Sequence, residues 1–439
     1  MGNRVMWSQI RGYPLKSFLI CHIAYTFSQM DMALFSYALP SIRADFQISL
    51  IQMGWVVAVS YTIGAVIQVY LGTLTDRLGR KRMLIVATLV SSVFVALHAL
   101  VPINSFYISI GALSLSFGLV MLTLLRACAI ATGGALYPIT GAIVTEESPA
   151  RYRGLMAGLL QTGYPLGWFL ASLFAAWIIS LFGWRPLFLI GLLSIGYVFF
   201  ISKYLLETKR FSEQFNKADL SSVQKSTSLS KVGLLFEPHM RLRTFTLFGA
   251  QFLFVIAYGG SSMFFPTYLV EARNFALNEA TLIVGIGNAI GIIGYIMAAY
   301  TGEFLLTRRT TVVVWVLLGA VAFLNLIWFA SSYWSTLICF GVMCIFFYGA
   351  SAVKFAYVAE VFPTQLRATG LAVCSSFAVN LGIAIGPLLI TYGVEYLGWK
   401  VAFSTVVAIP MLCSGLFYLT LKPIPSGLEV EEVDLRYSS

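Results

Sequence analysis

Apolar residues in this chain fall in long, nearly unbroken runs, without the alternation of strands or the narrow stripes of amphipathic helices. A helix needs about 20 apolar residues to cross the hydrocarbon of a bilayer. Runs of that length, bounded by charge or by Pro and Gly, predict helices at 17–39, 50–74, 83–102, 113–144, 155–181 and 186–206. A second set follows at 244–270, 281–306, 311–330, 334–359, 371–395 and 400–421. Between the sets lies the one long polar stretch, 207–243, whose middle, NKADLSSVQKSTSLSK, has the composition of a flexible linker. The pattern therefore divides into a six-helix half (1–206), a linker (207–243), a second six-helix half (244–421) and a tail (422–439). The limits of the third and fourth helices are least sharp over 102–125, PINSFYISIGALSLSFGLVMLTLL, which is apolar throughout.

Composition agrees with this pattern. Of the 439 residues, 59% are hydrophobic and only 10% charged, where a soluble domain carries about 25% charged residues. The prediction is an all-α membrane protein of twelve transmembrane helices, with no room for a large soluble catalytic domain. The net charge of +10 points to anionic lipid rather than nucleic acid. Of the 28 Lys and Arg, 22 lie on the side of the two termini and the linker, and four (Arg43, Arg185, Arg273, Lys400) on the opposite side. That asymmetry predicts cytoplasmic termini. The remaining two, Arg126 and Lys354, sit inside spans. The basic N-terminus leads into an apolar run with no small-residue cleavage site, so the first span is expected to be retained. The six cysteines fall in apolar segments without paired spacing, so neither a disulfide framework nor a metal site is expected.

The halves repeat each other. EESPARYRG holds Glu146 and Arg153 seven residues apart, and EVFPTQLRATG holds Glu360 and Arg367 at the same spacing. GTLTDRLGRKR, from Gly72 to Arg82, follows the second helix; its counterpart GEFLLTRR, from Gly302 to Arg309, lacks the DRLG core. In these residues the chain resembles the major facilitator superfamily, from Gln29 to about Leu421, and most of all its proton-coupled carriers of aromatic acids and sialate. That closer likeness rests on Asp31 in QMDMALFSYALP, on Arg126 and Pro138 in RACAIATGGALYP, and on Glu146, Pro149, Gly154 and LLFEPHMRLRT. Those carriers usually have a second acid near the first-helix aspartate; here Gln29 and Met30 precede Asp31. The resemblance implies two pseudo-symmetric halves around a central cavity that opens alternately to each side. It also implies a cytoplasmic gate of Gly72, Asp76, Arg77, Gly79, Arg80 and Arg153 with Glu146, in which Asp76 faces a helix N-terminus of the other half. Glu360 with Arg367 would be the second-half counterpart, and Glu303 with Arg308 and Arg309 a degenerate copy. The basic residues of the loop serve equally well as topology determinants.

Asp31 is the only acid deep in an apolar span, where an unpaired carboxylate costs several kcal/mol, so pairing or protonation is expected. Helical rise places it about 21 Å, and Arg126 about 27 Å, from the cytoplasmic ends of their helices. They can therefore meet, with Arg126 binding a substrate carboxylate and Asp31 carrying a proton, or as a static ion pair. Lys354, about 9 Å from its cytoplasmic end, either snorkels to the interface or adds a second cation to the pathway. With both cations and Asp31 the pathway carries one positive charge, which favours an anion. Tyr137, Gln161 and Asn288 are further candidates to touch substrate, because lipid does not tolerate unpaired polar groups. The glycine-dense stretches 133–136, 285–294 and 382–386 read as close-packing helix faces, and the lone His22 and His98 as structural.

The expected activity is secondary active import of a small organic anion or zwitterion, driven by protons. Proton-driven export of drugs or metabolites, uniport of neutral solutes such as sugars, and a transporter-like sensor are the alternatives. No enzyme, cofactor or nucleic-acid partner is expected. The chain is expected to act as a monomer in a plasma membrane, the inner membrane if bacterial.

Overall fold

The computed structural model describes residues 10–103, 107–110, 113–149, 153–208, 233–238, 240–362 and 366–421. Eleven stretches among them are long and apolar enough to cross a bilayer, and the last, Thr369–Thr420, holds two helices divided at Gly398. The twelve predicted spans are therefore present, in a membrane fold built of helices apart from one short hairpin.

The first unit contains α1 (Tyr13–Phe46), α2 (Leu50–Leu78), α3 (Arg80–Leu97) and α4 (Phe117–Glu147). It continues with α5, in two pieces (Arg153–Leu160 and Gly163–Phe182), and α6, which runs from Trp184–Leu187 through a 3₁₀ turn into Leu193–Tyr204. The stretch Pro266–Gly285 groups with this unit, and in it Glu271 pairs with Arg43. The second unit contains α7 (Arg241–Ser262), most of α8 (Leu277–Tyr300), α9 (Arg308–Trp328) and α10, in two pieces (Tyr333–Phe347 and Ser351–Val361). It ends with α11 and α12, on either side of Gly398, the latter closing in Ile409–Thr420.

Among the predicted boundaries that differ, two have a clear physical reason. The first helix does not stop before Pro40 but carries it inside and ends at Gln47, a left-handed residue (φ 51°) whose N–H donates to the Ala44 and Arg43 carbonyls. Proline removes one hydrogen bond, a loss that neighbouring helices and waters offset in membrane helices. The fourth helix begins at Phe117, not at 113. Before it, Tyr107–Ile110 and Leu113–Ser116 form an antiparallel hairpin, β1 and β2, with Ile108 opposite Leu115 and Ser109 opposite Ser114. The alternation YISI…LSLS is the period of a strand, concealed within a stretch that is apolar on average.

Gly183 and Gly398 turn the chain between α5 and α6 and between α11 and α12, at φ 78°, ψ −177° and φ 74°, ψ 164°. A side chain disfavours this backbone region. Each glycine opens a matching string, Gly-Trp-Arg-Pro-Leu-Phe and Gly-Trp-Lys-Val-Ala-Phe, a further mark of the duplication.

Of the glycine-dense stretches, 285–294 and 382–386 bring backbones together, whereas a Cβ on Gly133 or Gly134 would meet side chains. A Cβ on Gly386 would lie 2.7 Å from the Ile256 carbonyl and 2.8 Å from the Gly260 nitrogen, and one on Gly294 would fall on the Ile345 carbonyl. Overpacking of this kind costs about 1–3 kcal/mol even where side chains can shift, and a backbone carbonyl has less room to move. Gly294→Val should therefore sharply lower the thermal midpoint and the monodisperse yield in detergent, while Gly141→Ala, with nothing within 4 Å of its added carbon, should leave both near the parental value.

Candidate functional site

The buried charges of the first unit gather around one ring. Asp31 and Phe35 lie four residues apart on α1 and so on one face of it; Asp31 is 3% and Arg126, on α4, 2% exposed. The Arg126 guanidinium lies 4.4 Å from the centroid of the Phe35 ring, an arrangement that stabilises a desolvated cation by about 2 kcal/mol. Its Nη2 donates to the Met32 carbonyl at 3.3 Å, and the Tyr61 hydroxyl on α2 lies beside it. Asp31 is within electrostatic reach of Arg126. Among the described residues, however, the ion pairs are Arg43–Glu271, Arg80–Glu146, Arg185–Asp45 and Arg308–Glu303; Asp31–Arg126 is not one of them. Asp31 Oδ1 is buried without a hydrogen-bond partner. The two charges are neighbours rather than a locked pair, and the planar donors of Arg126 are not consumed by a carboxylate.

Tyr137 and Gln161 form a second polar group in this unit. α5 is interrupted at Gln161 and Thr162, and both side chains of the interruption are bonded: Gln161 Nε2 donates to the Tyr137 hydroxyl, and Thr162 Oγ1 lies 3.0 Å from His22 Nε2. Tyr137 packs on Tyr25 with ring centroids 5.4 Å apart.

Lys354 and Asn288 belong to the second unit. Lys354 is 4% exposed, with Nζ 2.9 Å from the centroid of Phe254; it does not snorkel. A count of helical rise gives a residue's depth but not its facing, and here the aromatic face lies inward. Asn288 is buried at 1% exposure.

At the Arg-rich end of the first unit, Gly79 ends α2 at φ 97°, and Arg80 Nη2 lies 3.4 Å from Glu146 Oε1. Glu207 accepts the Arg80 N–H at 2.9 Å and the Lys81 N–H at 3.2 Å. A carboxylate there satisfies orphan amides at the start of α3 and complements the helix dipole. Assigned by composition to the linker, Glu207 is in fact a structural cap. Glu303 pairs with Arg308 at 2.7 Å, whereas Arg309 donates to the Leu421 carbonyl at 2.7 Å and not to Glu303. The side chains of Gly72, Asp76, Arg77, Arg153, Glu360 and Arg367 lie outside the described part of the structure.

A bundle of membrane-crossing helices, duplicated in sequence, with a desolvated arginine and a carboxylate inside one repeat, defines a membrane carrier. The family model of the Major Facilitator Superfamily matches residues 21–305 and 293–436, and the chain belongs to that family. It is a transporter and not an enzyme. It is 27% identical over 382 residues to the cis,cis-muconate transport protein of Acinetobacter baylyi, covering 86% of each chain. It is 26% identical over 412 residues to the niacin transporter of the same species, covering 88% of this chain and 89% of that one. The inward-open xylose transporter of E. coli shares the fold with a TM-score of 0.74 at 16% identity, over 97% of this chain and 100% of the other.

Proposed function

We propose that the chain is a secondary transporter that imports a small organic anion, a carboxylic acid, together with protons by alternating access. The observation that carries this reading is Arg126: a buried guanidinium held by a ring face and a backbone carbonyl, with Asp31 near but not bonded to it. A substrate carboxylate can take the two-point fork that no acid among the described residues occupies. Asp31 is then the proton carrier. Lys354 adds a second desolvated cation, and Tyr137, Gln161 and Asn288 contribute polar contacts. Muconate and niacin, which the two relatives are named for, are both small unsaturated carboxylic acids, and this supports a carboxylic acid as the substrate class. The protein works as a monomer, with no cofactor, in a plasma membrane, the inner one in a bacterium, with both termini in the cytoplasm as the charge asymmetry directs.

Uptake into proteoliposomes decides between readings, using a panel of muconate, nicotinate, sialate, glucuronate, amino acids and xylose, with and without an inward proton gradient. Accumulation of an acid only with the gradient supports the proposal. Gradient-independent equilibration of a sugar would replace it with uniport, and loss of internal solute on acidifying the outside would replace it with exchange.

The loop from Gly72 to Arg82 serves as the cytoplasmic gate. Asp76→Asn removes its carboxylate and Gly72→Leu adds bulk where helices approach. Each should slow initial uptake severalfold while leaving equilibrium substrate binding near parental; parental uptake rates in both variants would reduce the motif to a topology signal.

A further inference from the structure

Two of the buried polar atoms without a hydrogen-bond partner among the described residues, Asp31 Oδ1 and His98 Nε2, belong to the same helix interface. His98 is 1% exposed, at the end of α3 that leads to the outer hairpin. Its Nδ1 lies 2.8 Å from the Phe94 carbonyl and 3.2 Å from that of Val95. Only an N–H can bond a carbonyl, so Nδ1 carries a hydrogen, and in the neutral ring Nε2 holds a bare lone pair. The imidazole stacks on Phe188 of α6, with centroids 4.9 Å apart, and meets Phe35 edge-on at 6.3 Å. The same Phe35 ring bears the Arg126 guanidinium.

Asp31 sits one rung away. A Cβ on Gly191 would lie 2.8 Å from Val95 Cγ1 and 3.5 Å from Asp31 Oδ1. Val95 against Gly191 and His98 against Phe188 are successive contacts of the antiparallel helices α3 and α6, each three residues on. The step of three residues separates these two contacts by about 5 Å along the helix axis. The charged and titratable groups near His98 are Asp31 on α1 and Arg126 on α4, the latter beside Tyr61 of α2. At the rim are Asp45 and Arg185, whose side chains lie 3.7 Å apart. Trp184 joins rim to interior: its Nε1 donates to Asp45 Oδ2 at 2.7 Å and its ring meets Phe188 at 5.9 Å.

We propose that His98 is the proton relay between the outer rim and Asp31. Nε2 accepts a proton arriving from outside, and the imidazolium so formed releases that same proton to Asp31 Oδ1 while Nδ1–H stays on its carbonyls. The relay rests on the proton-coupled reading above. An imidazole suits the step because one ring nitrogen can take up a proton while the other keeps its hydrogen on a carbonyl. Its position beside Arg126 favours onward transfer, since a second cation there is repelled.

The test uses the full-length protein in proteoliposomes and the carboxylate that the parental protein accumulates in the panel above. His98→Asn keeps an N–H donor for the Phe94 carbonyl but has no titrating group; His98→Phe keeps the stacking. Both should support counterflow exchange at near-parental rates, yet lose about tenfold in gradient-driven initial uptake. Parental gradient-driven uptake by His98→Asn overturns the relay and leaves proton coupling intact. Equal loss of counterflow and driven uptake in both variants also overturns it, showing a packing role. A parental protein that accumulates nothing in response to the gradient sinks the coupling and the relay together.

Discussion

Asp31→Asn is expected to abolish accumulation against a gradient while leaving exchange of loaded carriers in place. An inward gradient of one pH unit stores about 1.4 kcal/mol per proton, enough for about tenfold accumulation. Without a group that binds the proton only when the carrier is loaded, that energy has no route to the substrate, and the internal concentration should only equal the external one. Counterflow should persist, because a carrier that returns loaded does not need to release its proton. Asparagine keeps the size and polarity of the side chain, so the surroundings of Gly191 and Val95 should hold. Parental accumulation by this variant would remove Asp31 from the coupling and direct attention to Glu360.

Arg126 should yield the largest loss of binding. Hydrogen bonds to charged groups contribute about 1.5–3 kcal/mol. Arg126→Lys keeps the charge but loses the planar fork and its fit over Phe35, and should weaken substrate binding by about tenfold or more. Arg126→Ala should weaken it further, by about a hundredfold, since no cation then meets the substrate carboxylate. Binding measured by scintillation proximity or by tryptophan fluorescence separates this loss from slow transport. If Arg126→Lys binds like the parent, the guanidinium is part of the helix packing and the anion site lies elsewhere, with Lys354 the next cation to test.

What the sequence disclosed follows the physics of the bilayer. Hydrocarbon requires runs of about 20 apolar residues, so the spans are written plainly, and a carboxylate or guanidinium among them stands out at once. Properties that depend on which way a helix faces were less visible. Tyr61 and Phe35 were two aromatic residues among many, and nothing in their spacing showed that they flank Arg126. Lys354 had its depth but not its direction. The hairpin of β1 and β2 was lost in an average that sees Ile, Leu and Ser as one apolar stretch, although their alternation was available at a shorter window. Pro40 was read as a stop because soluble helices obey that rule more strictly than membrane helices do. Glu207 was missed because a cap contributed from a distant stretch of chain has no local signature; it lies 127 residues from Arg80.

The one-residue turns at Gly183 and Gly398 bear on how the protein is made. A span that emerges from the ribosome is followed, in both repeats, by its partner with no polar loop between them, only glycine, tryptophan and a cation. In each pair the short turn carries a cation, Arg185 or Lys400, that hydrocarbon does not tolerate. Helices α5 and α6, and α11 and α12, are therefore expected to enter the bilayer as helical hairpins, with the cation held at the turn.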